Sequence, residues 1–318
     1  MREMMDATKE IFREYIKEDV IEIMPCGNHD LNRNWVYKVT TDQQKYIIKL
    51  FYKPNKRIRE LTVVPMLEAI NPLRVIHTGE WTSGHEWIIY NHIEGWLLDH
   101  IIDEMDLDQR RYIFNKIGHM TALFHALNTF DHFGDWNFEK QSPVMDYKQF
   151  VISDCERMIE NIKNQNLPDM DILNKAIEIV RAEYENIRNL KVARLCHRDL
   201  DGRNILIKVS ASEGLKLEAF LDFEKTVMGN EYLDIIGFYR RYFMDEPKLI
   251  EHFFAGYESV LPIDESFNQE LRFNLYRAGI DICSWALDVS DTFYYETVNY
   301  LKRLENYDDH LKTLYAKK

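Results

Sequence analysis

Glycine and proline are scarce in this chain, 12 and 8 of 318 residues, and no segment repeats itself or falls into low complexity. That excludes collagen-like and Pro/Gly-rich disordered architectures. Cysteine is rarer still: Cys26, Cys155, Cys196 and Cys283 stand far apart, with no CxxC pair. Such spacing suggests neither a zinc centre nor a disulfide framework, and reduced, mostly buried thiols are expected. Long apolar runs are missing, so no membrane-spanning helix is predicted. The opening MREMMDATKE alternates charges and lacks the apolar stretch of a signal peptide, so a cytoplasmic location is expected. Positive charge is the last shortage. Forty Lys and Arg face 53 Asp and Glu, a formal net charge of −13. This argues against a nucleic-acid or anionic-membrane surface and is compatible with a cationic small molecule.

Apolar residues are plentiful, at 46% with 17 Phe, 18 Tyr and 6 Trp. A chain of this length buries a large core and divides into about two lobes. Its first third reads as strands with one helix. The runs 34–40 (NWVYKVT) and 45–51 (KYIIKLF) predict a hairpin, 55–70 a helix disturbed by Pro65, and 74–78 and 86–93 two more strands. After Glu94-Gly95 the texture turns helical. Ile113, Ile117, Met120, Phe124 and Leu127 keep a three-four spacing, as do Leu173, Ala176, Ile177, Val180, Tyr184 and Ile187, and later Leu271, Leu275, Ala278, Ile282 and Trp285. One hairpin interrupts them, from 204–209 and 215–223. The expectation is an α+β chain: a small β-rich lobe over residues 1–93, a connector at about 91–95, and a larger helical lobe over 96–318. A ligand is expected in the cleft between two such lobes.

The densest polar cluster in an apolar setting is Leu195-Cys-His-Arg-Asp-Leu-Asp-Gly-Arg-Asn-Ile-Leu-Ile207. Helical sequence precedes it and a strand follows, so His197 to Asn204 should be a loop delivered onto a strand. Asp199 and Asn204 are five apart, which lets one carboxylate face a substrate hydroxyl while the amide oxygen faces a metal. Asp222 lies in Phe220-Leu-Asp-Phe223, where an ionised acid needs a partner. Mg2+ suits a carboxylate combined with an amide oxygen and phosphates. Lys49, inside Tyr46-Ile-Ile-Lys-Leu-Phe51, either snorkels at an edge or is held by a buried anion.

His197-Arg-Asp199 with Asn204, a hairpin, and then Asp222 resembles the catalytic core of the protein-kinase-like fold. The likeness is closer to the aminoglycoside phosphotransferase and choline kinase family, which carries an H-x-D-x-x-x-x-N loop, an Asp-aromatic-Glu step and a G-x-x-x-x-D segment. Here those read as the 197–204 loop, Asp222-Phe-Glu224, and Gly229-Asn-Glu-Tyr-Leu-Asp234; Leu123-Phe-His125 resembles that family's helix end. The resemblance implies a bilobal kinase-like fold, ATP or GTP, and Mg2+. It makes Asp199 the catalytic base with His197 supporting the loop. Asn204 and Asp222 become metal ligands, and Lys49 the lysine on the α- and β-phosphates. Its helix partner is Glu60, with Glu68 the fallback. Gly27 falls in the nucleotide loop, and Asn91 and Ile93 in the connector that meets the adenine edge. His125 and Asp234 are structural.

Departures from the pattern narrow the class. Asp201 stands where serine/threonine kinases place lysine, no A-P-E segment follows, and Arg198 replaces the glycine common in antibiotic kinases. These favour a small-molecule kinase over a protein kinase. The acceptor is expected to carry a hydroxyl and positive charge, as an aminoglycoside or amino-alcohol does. Glu224, Glu231, Asp281, Asp288, Asp291 and Glu296 are available to receive amines. A choline, homoserine or sugar kinase, or a nucleotide-binding pseudokinase, are the alternatives.

Overall fold

The computed structural model describes residues 2–26, 34–81, 84–135, 146–210, 212, 214–263 and 266–315. Helix α1 (Arg2–Ile11), continued by a π-helical turn (Phe12–Ile16), precedes strands β1 (Val20–Cys26), β2 (Trp35–Thr41) and β3 (Lys45–Leu50). Helix α2 (Arg57–Met66) leads to β4 (Val75–Glu80), β5 (Glu86–Asn91), β6 (Trp96–Leu97) and helices α3 (Leu98–Ile101) and α4 (Leu107–Leu127). Then come β7 (Thr129–Phe130), α5 (Tyr147–Asn164), α6 (Met170–Ala182), β8 (Ala193–Cys196), β9 (Ile205–Ser210), β10 (Gly214–Phe220) and β11 (Val227–Gly229). Helices α7 (Tyr232–Phe238), α8 (Lys248–Glu258), α9 (Ser266–Cys283) and α10 (Asp291–Tyr315) end the described chain. The expected α+β class is observed, with a β-rich N-terminal sheet and a helical C-terminal part. Two compact units divide it: 1–113 with 202–226, and 114–201 with 227–318. The second hairpin thus groups with the first unit.

In the first unit an antiparallel sheet runs β1-β2-β3-β5-β4. Strand alternation puts Tyr37 and Val39 of β2, and Tyr46, Ile48 and Leu50 of β3, on one face with Trp87 and Ile89 of β5. Met4, Ala7, Ile11 and Phe12 cover that face, a helical stripe that the strand-dominated sequence reading passed over. The helix expected over 55–70 is shorter, Arg57–Met66: Asn55 stands in the left-handed region (φ 63°) before it, and Pro65, with no N–H for the carbonyl four residues back, weakens its last turn. A second sheet of this unit, β10-β9-β6, carries the hairpin.

The second unit packs α9 against α5, α6, α7 and α10. Surrounded on several sides, α9 buries Leu271, Phe273, Leu275, Tyr276 and Ile280, so its core face is wider than the predicted stripe, and Trp285 just beyond it is exposed. Helices α4 and α8 cross closely. A Cβ built on Gly118 would lie 1.9 Å from the Phe253 carbonyl oxygen, and one on Gly256 1.9 Å from that of Asn115. Only glycine fits either position.

Candidate active site

In the first unit the chemistry gathers on Lys49. Its neighbours Ile48 and Leu50 face the α1-covered core, so pleating sends Lys49 to the other face of β3. There the buried ammonium bonds Glu60 from the first turn of α2, Asp222 Oδ1 at 2.5 Å and Glu224 Oε2 at 3.0 Å. Burial opposes the charge on Lys49, but the carboxylates of Asp222, Glu60 and Glu224 together hold it well above the usual lysine range. The second oxygen of Glu60 accepts the Tyr90 hydroxyl at 2.5 Å. Burial pushes the Glu60 carboxyl up, working against Lys49, and the nearby Asp222 charge adds to the rise. Glu68 is exposed and lies 3.6 Å from Arg74, so Glu60 is the partner of the lysine.

Asp222 follows β10 in the left-handed region (φ 66°), and its side chain is 36% exposed. Two bonds fix this bend. Asn71 Nδ2 donates to the Phe220 carbonyl (2.9 Å), and Leu221 N–H donates to the carbonyl of the buried Asn204 (2.9 Å). Asn204 and Asp222 are thereby brought to the same end of the hairpin. Carboxylate oxygens of Glu60, Asp222 and Glu224 lie within 4.8 Å of one another. Glu60 and Glu224 are taken up by Lys49, while the part-exposed Asp222 carboxylate offers a hard oxygen donor of the kind that suits Mg2+. Asn91 ends β5, its Oδ1 accepting Arg74 N–H (2.6 Å) and its Nδ2 donating to the Pro72 carbonyl (3.1 Å). Ile93 is half-buried in the irregular segment between β5 and β6. Gly27 lies outside the described residues.

In the second unit β8 delivers the 197–199 loop, and Asp234 of α7 organises it. The carboxylate is fully buried. It accepts the backbone N–H of His197 (2.8 Å) and of Arg198 (2.5 Å), and the ring Nε2–H of His125 (2.9 Å). The Tyr257 hydroxyl closes the chain on His125 Nδ1 at 2.8 Å. This clamp holds Arg198 at φ 65°, a conformation costly for any residue with a Cβ. Position 198 is therefore one where glycine would be unstrained. Asp199 is half-buried, and its N–H meets the ring Nδ1 of the buried His197 at 3.3 Å. Asp201 pairs with Arg241 Nε at 3.2 Å, and Arg198 lies 4.0 Å from Asp281.

The structure brings Lys49 and Glu60 together with Asp222, and places His197 and Asp199 on one braced loop. Three of the acids expected to receive an acceptor are already in ion pairs: Glu224 with Lys49, Glu231 with Arg188 (3.0 Å), and Asp281 with Arg198. Asp288, Asp291 and Glu296 are exposed. Sequence reasoning missed Tyr90 and Asn71 as supports. Only Tyr90 carried a signal, a hydroxyl at the end of a buried strand.

The family model APH, described as phosphotransferase enzyme family, matches residues 28–268. No curated protein matches the sequence. Among solved structures, the chain is similar to a thermostable mutant of aminoglycoside phosphotransferase APH(4)-Ia in ternary complex with AMP-PNP and hygromycin B. The identity is 12%, over 94% of this chain and 97% of that one, with a TM-score of 0.72. It is similar to a mutant aminoglycoside 2'-phosphotransferase-IIIa in its GDP complex (13%, 96% and 99%, TM-score 0.71). A third likeness is to spectinomycin phosphotransferase APH(9)-Ia with ADP and spectinomycin (14%, 93% and 93%, TM-score 0.64). At such identities the likeness is one of fold.

Proposed function

The chain belongs to the phosphotransferase enzyme family, and on that premise we propose a Mg2+-dependent kinase for small molecules. It transfers the γ-phosphoryl group of ATP or GTP to a hydroxyl of an aminoglycoside-like or amino-alcohol acceptor. The observation that carries this reading is the buried Lys49 ammonium, fixed between Glu60 and Asp222. A lysine held so has no freedom to sample other positions, and orientation is most of what phosphoryl transfer asks of a protein.

Residues 1–93 supply Lys49 and Glu60, with Gly27 in the nucleotide loop and Asn91 and Ile93 along the connector for the adenine edge. Residues 96–318 supply the catalytic loop. Asp199 orients the acceptor hydroxyl and accepts its proton as the oxygen attacks the γ-phosphorus; the bond to the β–γ bridging oxygen breaks, and ADP or GDP leaves. His197 supports the loop through its ring nitrogen on the Asp199 N–H. Asn204 and Asp222 would hold Mg2+, which supplies charge neutralisation to the phosphates. Lys49, braced by Glu60, fixes the α- and β-phosphates. The complexes of similar folds with AMP-PNP, ADP and GDP support the nucleotide. Hygromycin B and spectinomycin in two of them support an aminoglycoside-like acceptor, and with it a role in antibiotic resistance. No helix among the described residues is long and apolar enough to cross a membrane, in keeping with a cytoplasmic enzyme.

The test is a screen of aminoglycosides, choline and amino-alcohols for Mg2+-dependent nucleotide consumption, run beside Asp199→Ala. The variant should lose transfer and keep nucleotide binding. Undiminished turnover by Asp199→Ala would overturn the assignment of the base. Nucleotide that binds but is consumed with no acceptor tested would favour a pseudokinase.

A further inference from the structure

Asn34, the residue before β2, has no part in the roles assigned above, yet its side chain is engaged at both ends. Oδ1 accepts the Tyr52 N–H at 3.0 Å, and Nδ2 donates to Glu224 Oε2. The first bond fixes the amide's orientation, so the NH2 end must face the carboxylate. Glu224 is 15% exposed, takes Lys49 at 3.0 Å, and has its backbone carbonyl 3.4 Å from Arg59 Nη1. Two of the carboxylates that hold Lys49 are thus each supported by a neutral donor: Glu60 by the Tyr90 hydroxyl, Glu224 by the Asn34 amide. A neutral donor strengthens the hold without competing for the ammonium, as a second cation would.

We propose that Asn34 is a positioning residue: by donating to Glu224 it keeps that carboxylate on Lys49 and so sets the ammonium for the nucleotide phosphates. The inference rests on the kinase reading. A hydrogen bond to a carboxylate is worth enough that its loss should cost about tenfold in an equilibrium that depends on it.

Binding of Mg·ATP is measured by titration calorimetry, with steady-state kinetics in parallel. Asn34→Ala should weaken nucleotide binding and raise the nucleotide KM by about tenfold, leaving the acceptor KM unchanged. Asn34→Asp keeps the oxygen that accepts Tyr52 N–H and alters only the donor end. It sets carboxylate against carboxylate, so its deficit should exceed that of Asn34→Ala. In a Glu224→Ala background, where no side-chain oxygen remains to accept the amide, Asn34→Ala should add nothing. Unchanged nucleotide affinity, or an equal penalty in the Glu224→Ala background, would each overturn the inference. Wild-type protein that binds no nucleotide would instead remove the kinase reading itself.

Discussion

Replacing Asp234 by Asn changes one oxygen for an NH2 group and nothing in volume, yet it should be among the most damaging substitutions in the second unit. The carboxylate is fully buried and accepts three N–H groups, from His125, His197 and Arg198. An amide oxygen can keep the two that share Oδ2, but its NH2 then points at the Arg198 N–H, donor against donor. Leaving buried donors unpaired costs about 1–3 kcal/mol each, and the surviving bonds lose their charge assistance. The sum is about 3–5 kcal/mol, the range found when one partner of a buried charged pair is removed. For a unit of this size that is a Tm lower by about 6–20 °C. Scanning calorimetry and urea unfolding followed by circular dichroism measure it. Arg198→Gly is the informative companion. It relieves the left-handed strain at φ 65° and gives up only a half-exposed ion pair at 4.0 Å, so stability should hold or rise by about 1 kcal/mol. An Asp234→Asn protein within about 1 kcal/mol of wild type would refute the claim that this carboxylate dictates the loop's conformation.

Two further outcomes follow from features away from the chemistry. Gly118→Ala should destabilise by about 3 kcal/mol, since the added methyl meets a backbone oxygen that cannot rotate away; a thermal melt unchanged within error would show that the helices part freely. Burial pushes the Cys155 thiol up to about 11 and the Cys283 thiol up to about 12. A folded-state value above the unfolded one means the unfolded chain binds fewer protons above about pH 9, so stability is full below that pH and falls on raising it, by about 1.4 kcal/mol per thiol per pH unit. Urea unfolding between pH 8 and 10.5 should show that slope, reduced in Cys155→Ala; equal slopes would rule out this thiol as a source.

Much of the framework was legible because it depends on local pattern. The period-two runs around Lys49 and the polar stretch from His197 to Asn204 between apolar segments each announce their element from within a few residues. What escaped was set by distance along the chain. Glu224 on Lys49 and Asn34 on Glu224 join residues far apart in sequence, and no local rule pairs them. From sequence, Glu224 is an acid available to receive an amine, although its neighbour Asp222 already points at a cation. The acids of that list taken by Lys49, Arg188 and Arg198 show why a net charge of −13 says little about a binding surface. The left-handed Arg198 was hidden for a different reason. Its φ is imposed by a carboxylate from helix α7, so the residue's own preference points the wrong way.

The crossing of α4 and α8 bears on how such a chain can change over time. Gly118 is blocked by the carbonyl of Phe253, and Gly256 by that of Asn115. Every residue type presents the same carbonyl, so no substitution in one helix makes room for a side chain on the other. Each glycine is fixed independently, with no compensating partner to drift with it. One of the tightest contacts in the unit would therefore leave no trace of correlated substitution between the two positions that create it.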